Sequence, residues 1–315
     1  MKEITVVSGK GGTGKTSVTA ALADTERELV LCDADVDAPD LHLLLDPKIA
    51  ESHVFEGNWI ASIDPEQCSA CGLCMEYCRF DAIQTHGSEI PVIDPFKCEG
   101  CRLCERICPT KAISSERSKN NYWYVSGTRH GTMVHARMGP GEENSGKLVT
   151  RVRQKAKELA KLEKVAFVLT DGPPGTGCPA IAAVTGTDLV LLVIEPSRSS
   201  LHDAGRVADL LGQMNIEAVA IINKYDLHAP LTGEIEQFLK NKAITLVGKI
   251  PFDEQVVEAM VQAKSVTEFA PQSEASVALE GIWARIEQQL AKHRATAGEA
   301  SSNSWRSIEQ RPGKE

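Results

Sequence analysis

The chain lacks any run of about 18 apolar residues, so nothing in its 315 residues reads as a membrane-spanning helix. It also lacks an excess of positive charge: 34 Lys and Arg stand against 43 Asp and Glu, for a net charge of -9. An acidic surface argues against non-specific binding to nucleic acid or to anionic membrane. The opening MKEITVVSGKGG has no apolar core of the kind a signal peptide needs. The expectation is a cytoplasmic protein with no nucleic-acid partner and no stable membrane insertion. Cysteine is nearly absent outside one stretch. Only Cys32 and Cys178 lie beyond the segment Cys68 to Cys108, which holds the other eight of the ten. The cytoplasm keeps thiols reduced, so such clustering points to metal rather than to a disulfide framework.

The length suggests about two domains. Ile4 to Ser8 is a β-branched run ending at a glycine cluster, and it reads as a buried parallel strand. Lys15 to Ala23 reads as a helix, and Leu29 to Asp33 as a second strand. Regular alternation resumes after Lys147, with strands over Val165–Asp171, Asp188–Glu195, Ala218–Lys224 and Ile244–Ile250. Short apolar strands alternating with helices indicate an α/β fold with a doubly wound, mostly parallel sheet. The cysteine-rich stretch interrupts this pattern and reads as an insert. The expected organisation is an α/β domain whose first part spans 1–59, an inserted domain over 60–115, a return connection and the second part of the α/β domain over 116–295, and a disordered tail over 296–315. Leu279, Ile282, Trp283, Ile286 and Leu290 recur at helical spacing. That is a last helix packed on the core or, as the sharper alternative, an amphipathic membrane-targeting helix.

Gly9-Lys10-Gly11-Gly12-Thr13-Gly14-Lys15-Thr16 fits G-x-x-x-x-G-K-[ST]. Glycines let consecutive backbone N–H groups converge on phosphate oxygens, the final lysine adds a point charge, and the threonine offers a hydroxyl to Mg²⁺. The helix that follows aims its positive end at the same place. Asp33-Ala34-Asp35-Val36-Asp37 closes the second strand, and Asp171-Gly172-Pro173-Pro174-Gly175 closes another. Carboxylates at strand ends beside a phosphate site suit Mg²⁺ and an attacking water.

Cys68, Cys71, Cys74 and Cys78 are spaced C-x2-C-x2-C-x3-C, and Cys98, Cys101, Cys104 and Cys108 repeat the spacing. This is the spacing of bacterial two-cluster ferredoxins, in which the fourth cysteine of each run ligates the other cluster. Cys68, Cys71, Cys74 and Cys108 are then expected to hold one 4Fe-4S cluster, and Cys98, Cys101, Cys104 and Cys78 the second. Zinc sites pair cysteines across a longer loop, which triplets of this density do not suit. Pro109 follows Cys108, whereas Arg79 follows Cys78, so the two halves are not identical.

Lys10 with Lys15 in KGGTGKT resembles the deviant phosphate loop of the MinD/ParA/Mrp and nitrogenase-iron-protein superfamily of ATPases. Taken with the cysteines, the chain resembles members of that superfamily that carry an inserted small α+β ferredoxin domain. The resemblance implies an ATPase that works as a dimer, either of identical chains or with a paralogue. It implies that Lys10 reaches the partner's nucleotide, that Asp33 and Asp171 join Thr16 around Mg²⁺, and that Asp35 orients the attacking water. Asn223-Lys224-Tyr225-Asp226 reads N-K-x-D, a guanine-reading pattern, but the superfamily mostly binds ATP through an asparagine at this strand end. Asn223 and Lys224, with Pro251 and Asp253 of Ile250-Pro251-Phe252-Asp253, are the expected base and ribose contacts. Pro140-Gly141-Glu142-Glu143-Asn144-Ser145-Gly146 resembles a family segment that follows the insert. Cys178 is a small buried residue or, by likeness to the nitrogenase iron protein, a ligand to a cluster bridging a dimer, while Cys32 reads as core. The implied functions are electron transfer gated by ATP, assembly of an iron–sulfur or metal cofactor, and a positioning switch with structural or sensing clusters. The first two imply a redox or cofactor-carrying protein partner. The C-x-x-C that Mrp-type carriers have near their C-terminus does not occur, which weakens a scaffold role.

Overall fold

The computed structural model describes residues 1–24, 29–85, 87, 89–142 and 145–306, with the side chains of 292–306 left out of the description. In chain order the strands are β1 (Lys2–Ser8), β2 (Leu29–Asp33), β3 (Lys48–Phe55), β4 (Trp59–Ile63), β5 (Ile83–Gln84), β6 (Val92–Ile93), β7 (Ile113–Arg117), β8 (Asn121–Thr128), β9 (Gly131–Arg137), β10 (Phe167–Asp171), β11 (Leu189–Ile194), β12 (Ala218–Asn223) and β13 (Thr245–Ile250). Nine of them form one sheet in the order β13-β12-β11-β1-β10-β2-β9-β8-β3. Neighbours from β13 to β9 are parallel, while β8 and β3 run antiparallel at the far edge.

The apolar runs exist because the central strands are buried on both faces. In β2, Leu29 and Leu31 enter one core and Val30 and Cys32 the other. In β11, Leu189, Leu191 and Val193 alternate with Val190, Leu192 and Ile194 in the same way. One face is covered by the helices Lys15–Ala23 and Glu274–Arg306, the other by Ser145–Leu162, Arg198–Gln213 and Ala229–Asn241. Leu279, Ile282, Trp283, Ile286 and Leu290 are all buried in the first core. Their stripe is spent on packing, which removes the membrane-targeting alternative. The last helix extends to Arg306, past Thr296 where the tail was expected to begin. Ala297, Glu299 and Ala300 favour the helix and outweigh Gly298. The rest of that tail, 307–315, lies outside the described residues.

The stretch read as a return connection is instead part of the sheet. β9 pairs in parallel with β2, and β8 pairs with both β9 and β3. Between β3 and β8 the chain leaves the sheet and builds a small separate unit. Its neck is closed by Gly57 N–H to Ser118 O (2.9 Å) and Ser118 N–H to Asn58 O (2.9 Å). Inside it, β4 pairs with β7 and β5 with β6, both antiparallel. Ala61, Cys74, Ile83 and Ile113 form its own core.

Candidate functional site

The parallel pairing sets Asp33, Asp171 and the end of β1 side by side at the carboxyl edge of the sheet. Asp171 lies opposite Asp33 in one register and opposite Val6 in the other. In an open α/β sheet, this edge is where ligands bind. β1 runs directly into the glycine loop, which Gly175 N–H braces through Ser8 O at 2.9 Å. Gly14 has φ +87°, and a Cβ there would lie 2.3 Å from Asn223 Nδ2. Only glycine fits both the backbone angle and that contact.

Asp171 is fully buried and gathers three groups. Lys15 Nζ donates to its Oδ1 at 2.8 Å, Thr16 Oγ1 to its Oδ2 at 2.8 Å, and Thr19 Oγ1 to its Oδ1 at 3.1 Å. Lys15 also lies 3.5 Å from Asp35. Asp33 is fully buried and accepts from the backbone N–H groups of Asp35 and Leu41, each at 3.2 Å. Burial works against the charge on Lys15, but Asp171, Asp35 and Asp33 outweigh it and raise its pKa. Burial pushes Asp35 up to about 6, with Lys15 opposing the rise and Asp171 adding to it. Burial, then the charge of Asp171, raises Asp33 well above the usual carboxylate range. Three buried carboxylates thus share one ammonium. A hard divalent cation with oxygen ligands would make up that deficit. Thr13 Oγ1 is buried with no hydrogen-bond partner among the described residues, an orphan inside the loop.

A cavity of about 630 Å³ opens on this cluster. Gly11 to Thr16, Asp35, Asn223, Lys224, Pro251 and Asp253 line it, but Gly9, Lys10, Asp33 and Asp171 do not. Gly9 packs instead on Asp203 and Ala204. Lys10 is turned to its own chain's Glu195, 2.8 Å away, and Lys224 reaches the same carboxylate at 3.6 Å. Asn223 Nδ2 donates to Thr13 O at 2.8 Å, tying β12 to the glycine loop. Asp226 accepts from Phe252 N–H at 2.7 Å, and Asp253 caps the helix Glu254–Val261. Sequence reasoning missed Thr19, Glu195 and the apolar wall of Val256, Val257 and Met260. Thr19 lies four residues after Lys15, one helical turn on, and that spacing was a usable signal.

The inserted unit repeats one backbone plan twice. Ala70 and Gly100, Gly72 and Arg102, and Asp81 and Lys111 all adopt left-handed φ, between 51° and 77°. The matched positions are equivalent in the two cysteine runs, including non-glycine residues that pay for this geometry. One cavity is lined by Cys68, Cys71, Cys74 and Cys108, the other by Cys78, Cys98, Cys101 and Cys104. All eight are free thiols. Among the described residues, no three of their sulfurs lie within 4.8 Å of one another. A single tetrahedral zinc, with Zn–S near 2.3 Å, needs them closer than that, and a larger multi-iron group does not. Burial pushes the Cys104 thiol up to about 11 and raises Cys74. Such thiols stay protonated unless a metal takes the thiolate. Cys32 is buried as expected, but Cys178 is exposed, contrary to its buried reading. Cys178 begins a helix whose inward residues are Ala180, Ala183 and Val184.

This fold and phosphate site define a P-loop nucleotide-binding protein. The chain belongs to the CobQ/CobB/MinD/ParA nucleotide-binding domain family, whose model matches residues 4–266. It is similar to the uncharacterized protein MJ0578 of Methanocaldococcus jannaschii, with 32% identity over 83% of this chain and 96% of that one. It is also similar to the uncharacterized protein MJ0579 of the same organism, with 23% identity over 85% of this chain and 93% of that one. Among solved structures, the fold resembles the septum site-determining protein MinD of Pyrococcus horikoshii complexed with Mg-ADP. That match has a TM-score of 0.53 at 19% identity, over 91% of this chain and 96% of the other. No helix among the described residues is long and apolar enough to cross a membrane.

Proposed function

We propose that the protein is an ATP-hydrolysing iron–sulfur protein, a nucleotide-dependent dimer switch coupled to electron transfer through two 4Fe-4S clusters. The observation that carries this reading is the pair of cavities, each lined by four cysteines in crossed combination, on the same chain as a phosphate loop. The repeated left-handed turns around both runs support it, since backbone of this kind can form the N–H concavities used at Fe–S sites. When bound, the clusters would supply one-electron chemistry. The chain's part is to hold them through Cys68, Cys71, Cys74 and Cys108, and through Cys98, Cys101, Cys104 and Cys78.

At the nucleotide, Thr16, Asp33 and Asp171 would hold Mg²⁺, Lys15 would bind the phosphates, and Asp35 would orient water. Asp226 is engaged by the Phe252 N–H and does not line the cavity, which supports adenine over guanine. Lys10 faces away from its own phosphate site, which suits action on a second chain's nucleotide. A specific observation favours the cluster-assembly reading: Cys71 and Cys101 are exposed, so a cluster at either site is open to transfer.

Two measurements on anaerobically prepared protein test the proposal. Iron analysis should return about eight atoms per chain. The cluster reduction potential should then move when a non-hydrolysable ATP analogue binds. Iron near zero after reconstitution, or a potential indifferent to bound nucleotide, would sink the electron-transfer reading. Release of iron on ATP addition would favour assembly.

A further inference from the structure

The segment after β9 bonds both to the loop that borders the nucleotide cavity and to the neck of the inserted unit. Met138 N–H donates to Val36 O at 3.3 Å, in the acidic loop after β2. Asp37 of that loop lines the nucleotide cavity, and Ser145 faces its carboxyl. On the other side, the Glu142 carboxylate sits on the neck. It accepts from the Ser118 hydroxyl, from Asn121 Nδ2 at 3.0 Å and from Asn120 Nδ2 at 3.4 Å. Ser118 and Asn121 are buried, and a Cβ on Gly57 would lie 2.4 Å from Glu142 Oε2. One residue earlier, Gly141 has φ +72° and lies so close to Phe96 that a Cβ would be 2.5 Å from its ring. Phe96 stands two residues before Cys98. This is the stretch that the sequence singled out as a motif and to which the phosphate chemistry assigns no role.

We propose that residues 138–142 are the coupling strut between the two sites, with Glu142 as the positioning residue that transmits a shift of the Asp35–Asp37 loop to the neck and to the Cys98 segment. The inference rests on the reading of nucleotide and clusters as coupled centres. Glu142 lines neither the nucleotide cavity nor either four-cysteine cavity, but with Gly141 and Phe96 it lines a third cavity of about 240 Å³ that Cys98 also borders. Its loss should therefore leave both sites formed and remove only their communication.

The test compares intact cluster-loaded protein with Glu142→Ala, Glu142→Gln and Phe96→Ala. Each is titrated potentiometrically, with EPR detection, with and without the Mg²⁺ complex of a non-hydrolysable ATP analogue. In the unmodified protein the analogue should change the electron-affinity constant about tenfold, or about 59 mV for a one-electron couple. Glu142→Ala should lose that shift while keeping its iron content and its analogue affinity in the oxidised state. Glu142→Gln keeps an acceptor oxygen for Ser118 and should retain part of the shift. If Glu142→Ala loses iron by failing to fold, the exposed Phe96 supplies the second variant, and Phe96→Ala should still weaken the shift. A full shift in Glu142→Ala, or in Phe96→Ala where that variant decides, overturns the strut. No shift in the unmodified protein overturns the coupled reading itself, and the strut with it.

Discussion

Replacing Lys15 by Met removes one buried ammonium and keeps most of the side-chain volume. In the structure that ammonium is 2.8 Å from Asp171 and 3.5 Å from Asp35, with Asp33 fully buried beside them. Deleting one partner of a buried ion pair costs about 3–5 kcal/mol, because the remaining charge is left uncompensated. Here three carboxylates lose the one cation close to them among the described residues, so the unliganded variant should unfold earlier in urea or on heating. Mg²⁺ alone should restore part of the loss, by neutralising the same carboxylates. The decisive readout is nucleotide-dependent stabilisation. At about a hundredfold excess over its dissociation constant, a ligand raises stability by about 2.7 kcal/mol. For a domain of this size that is a rise of roughly 5–10 °C in melting temperature. The unmodified protein with Mg-ATP analogue should show the rise, and Lys15→Met should show none at the same concentration. The comparison is made within each variant, so a generally weakened fold does not mimic the result. An undiminished nucleotide shift in Lys15→Met would refute the reasoning that the lysine and carboxylates form the phosphate site.

Gly14→Ala must leave φ +87° or displace Asn223, and should lower nucleotide affinity at least tenfold by calorimetry while leaving iron content unchanged. Cys101→Ala should remove about half of the iron and leave nucleotide stabilisation intact. If it abolishes nucleotide binding, the two sites are not separable. His135 is held neutral by burial, which lowers its pKa to about 4 from an ordinary value near 6.5. The unfolded chain takes up the proton first as pH falls, so His135 contributes stability above about pH 6.5 that is lost between there and about pH 4. The loss is at most about 3 kcal/mol. Urea midpoints across that range should fall more steeply for the native chain than for His135→Gln, and parallel curves would refute it. Trp283→Ala should cost about 3–5 kcal/mol, because the last helix buries this indole edge-on against Phe167.

The central elements were legible because their burial leaves a local trace. β2 and β11 are enclosed on both faces and appear as apolar runs, and β1 appears as a β-branched run through Ile4, Thr5, Val6 and Val7. The phosphate loop was legible for a different reason: Gly14 and Lys15 answer to a ligand's chemistry. β8 and β9 left no such trace. β8 carries Asn121, Ser126 and Gly127 among its aromatics, and β9 carries His135 and Arg137. They are strands because β2 and β3 offer them hydrogen-bonding edges, and those partners lie far away in sequence. The turn of Lys10 towards Glu195 and the exposure of Cys178 were illegible for the same reason, since both depend on what tertiary packing brings near. The ferredoxin-like spacing led to a crossed grouping of the cysteines, and the two cavities are lined in that same combination.

The place of the insert in the sheet supplies a route for the proposed coupling between the phosphates and the insert. The chain enters the insert from β3 and leaves into β8, so both ends of the neck continue strands of the main sheet. β8 turns back into β9, whose His135 lies in register with Asp33 at the end of β2. It is β9, the strand after the return, that finishes beside the acidic cluster, and Met138 makes the next backbone bond to that loop. A tenfold coupling between two sites requires only about 1.4 kcal/mol. One hydrogen bond to a charged group is worth about 1.5–3 kcal/mol. Remaking a single bond at Glu142 is thus enough to supply the coupling, and no large domain rotation is required. If the Glu142→Ala shift disappears while small-angle scattering shows no nucleotide-dependent change in the overall dimensions of the protomer, the strut acts through that local bond. A large rotation accompanying an intact shift would instead place the coupling outside residues 138–142.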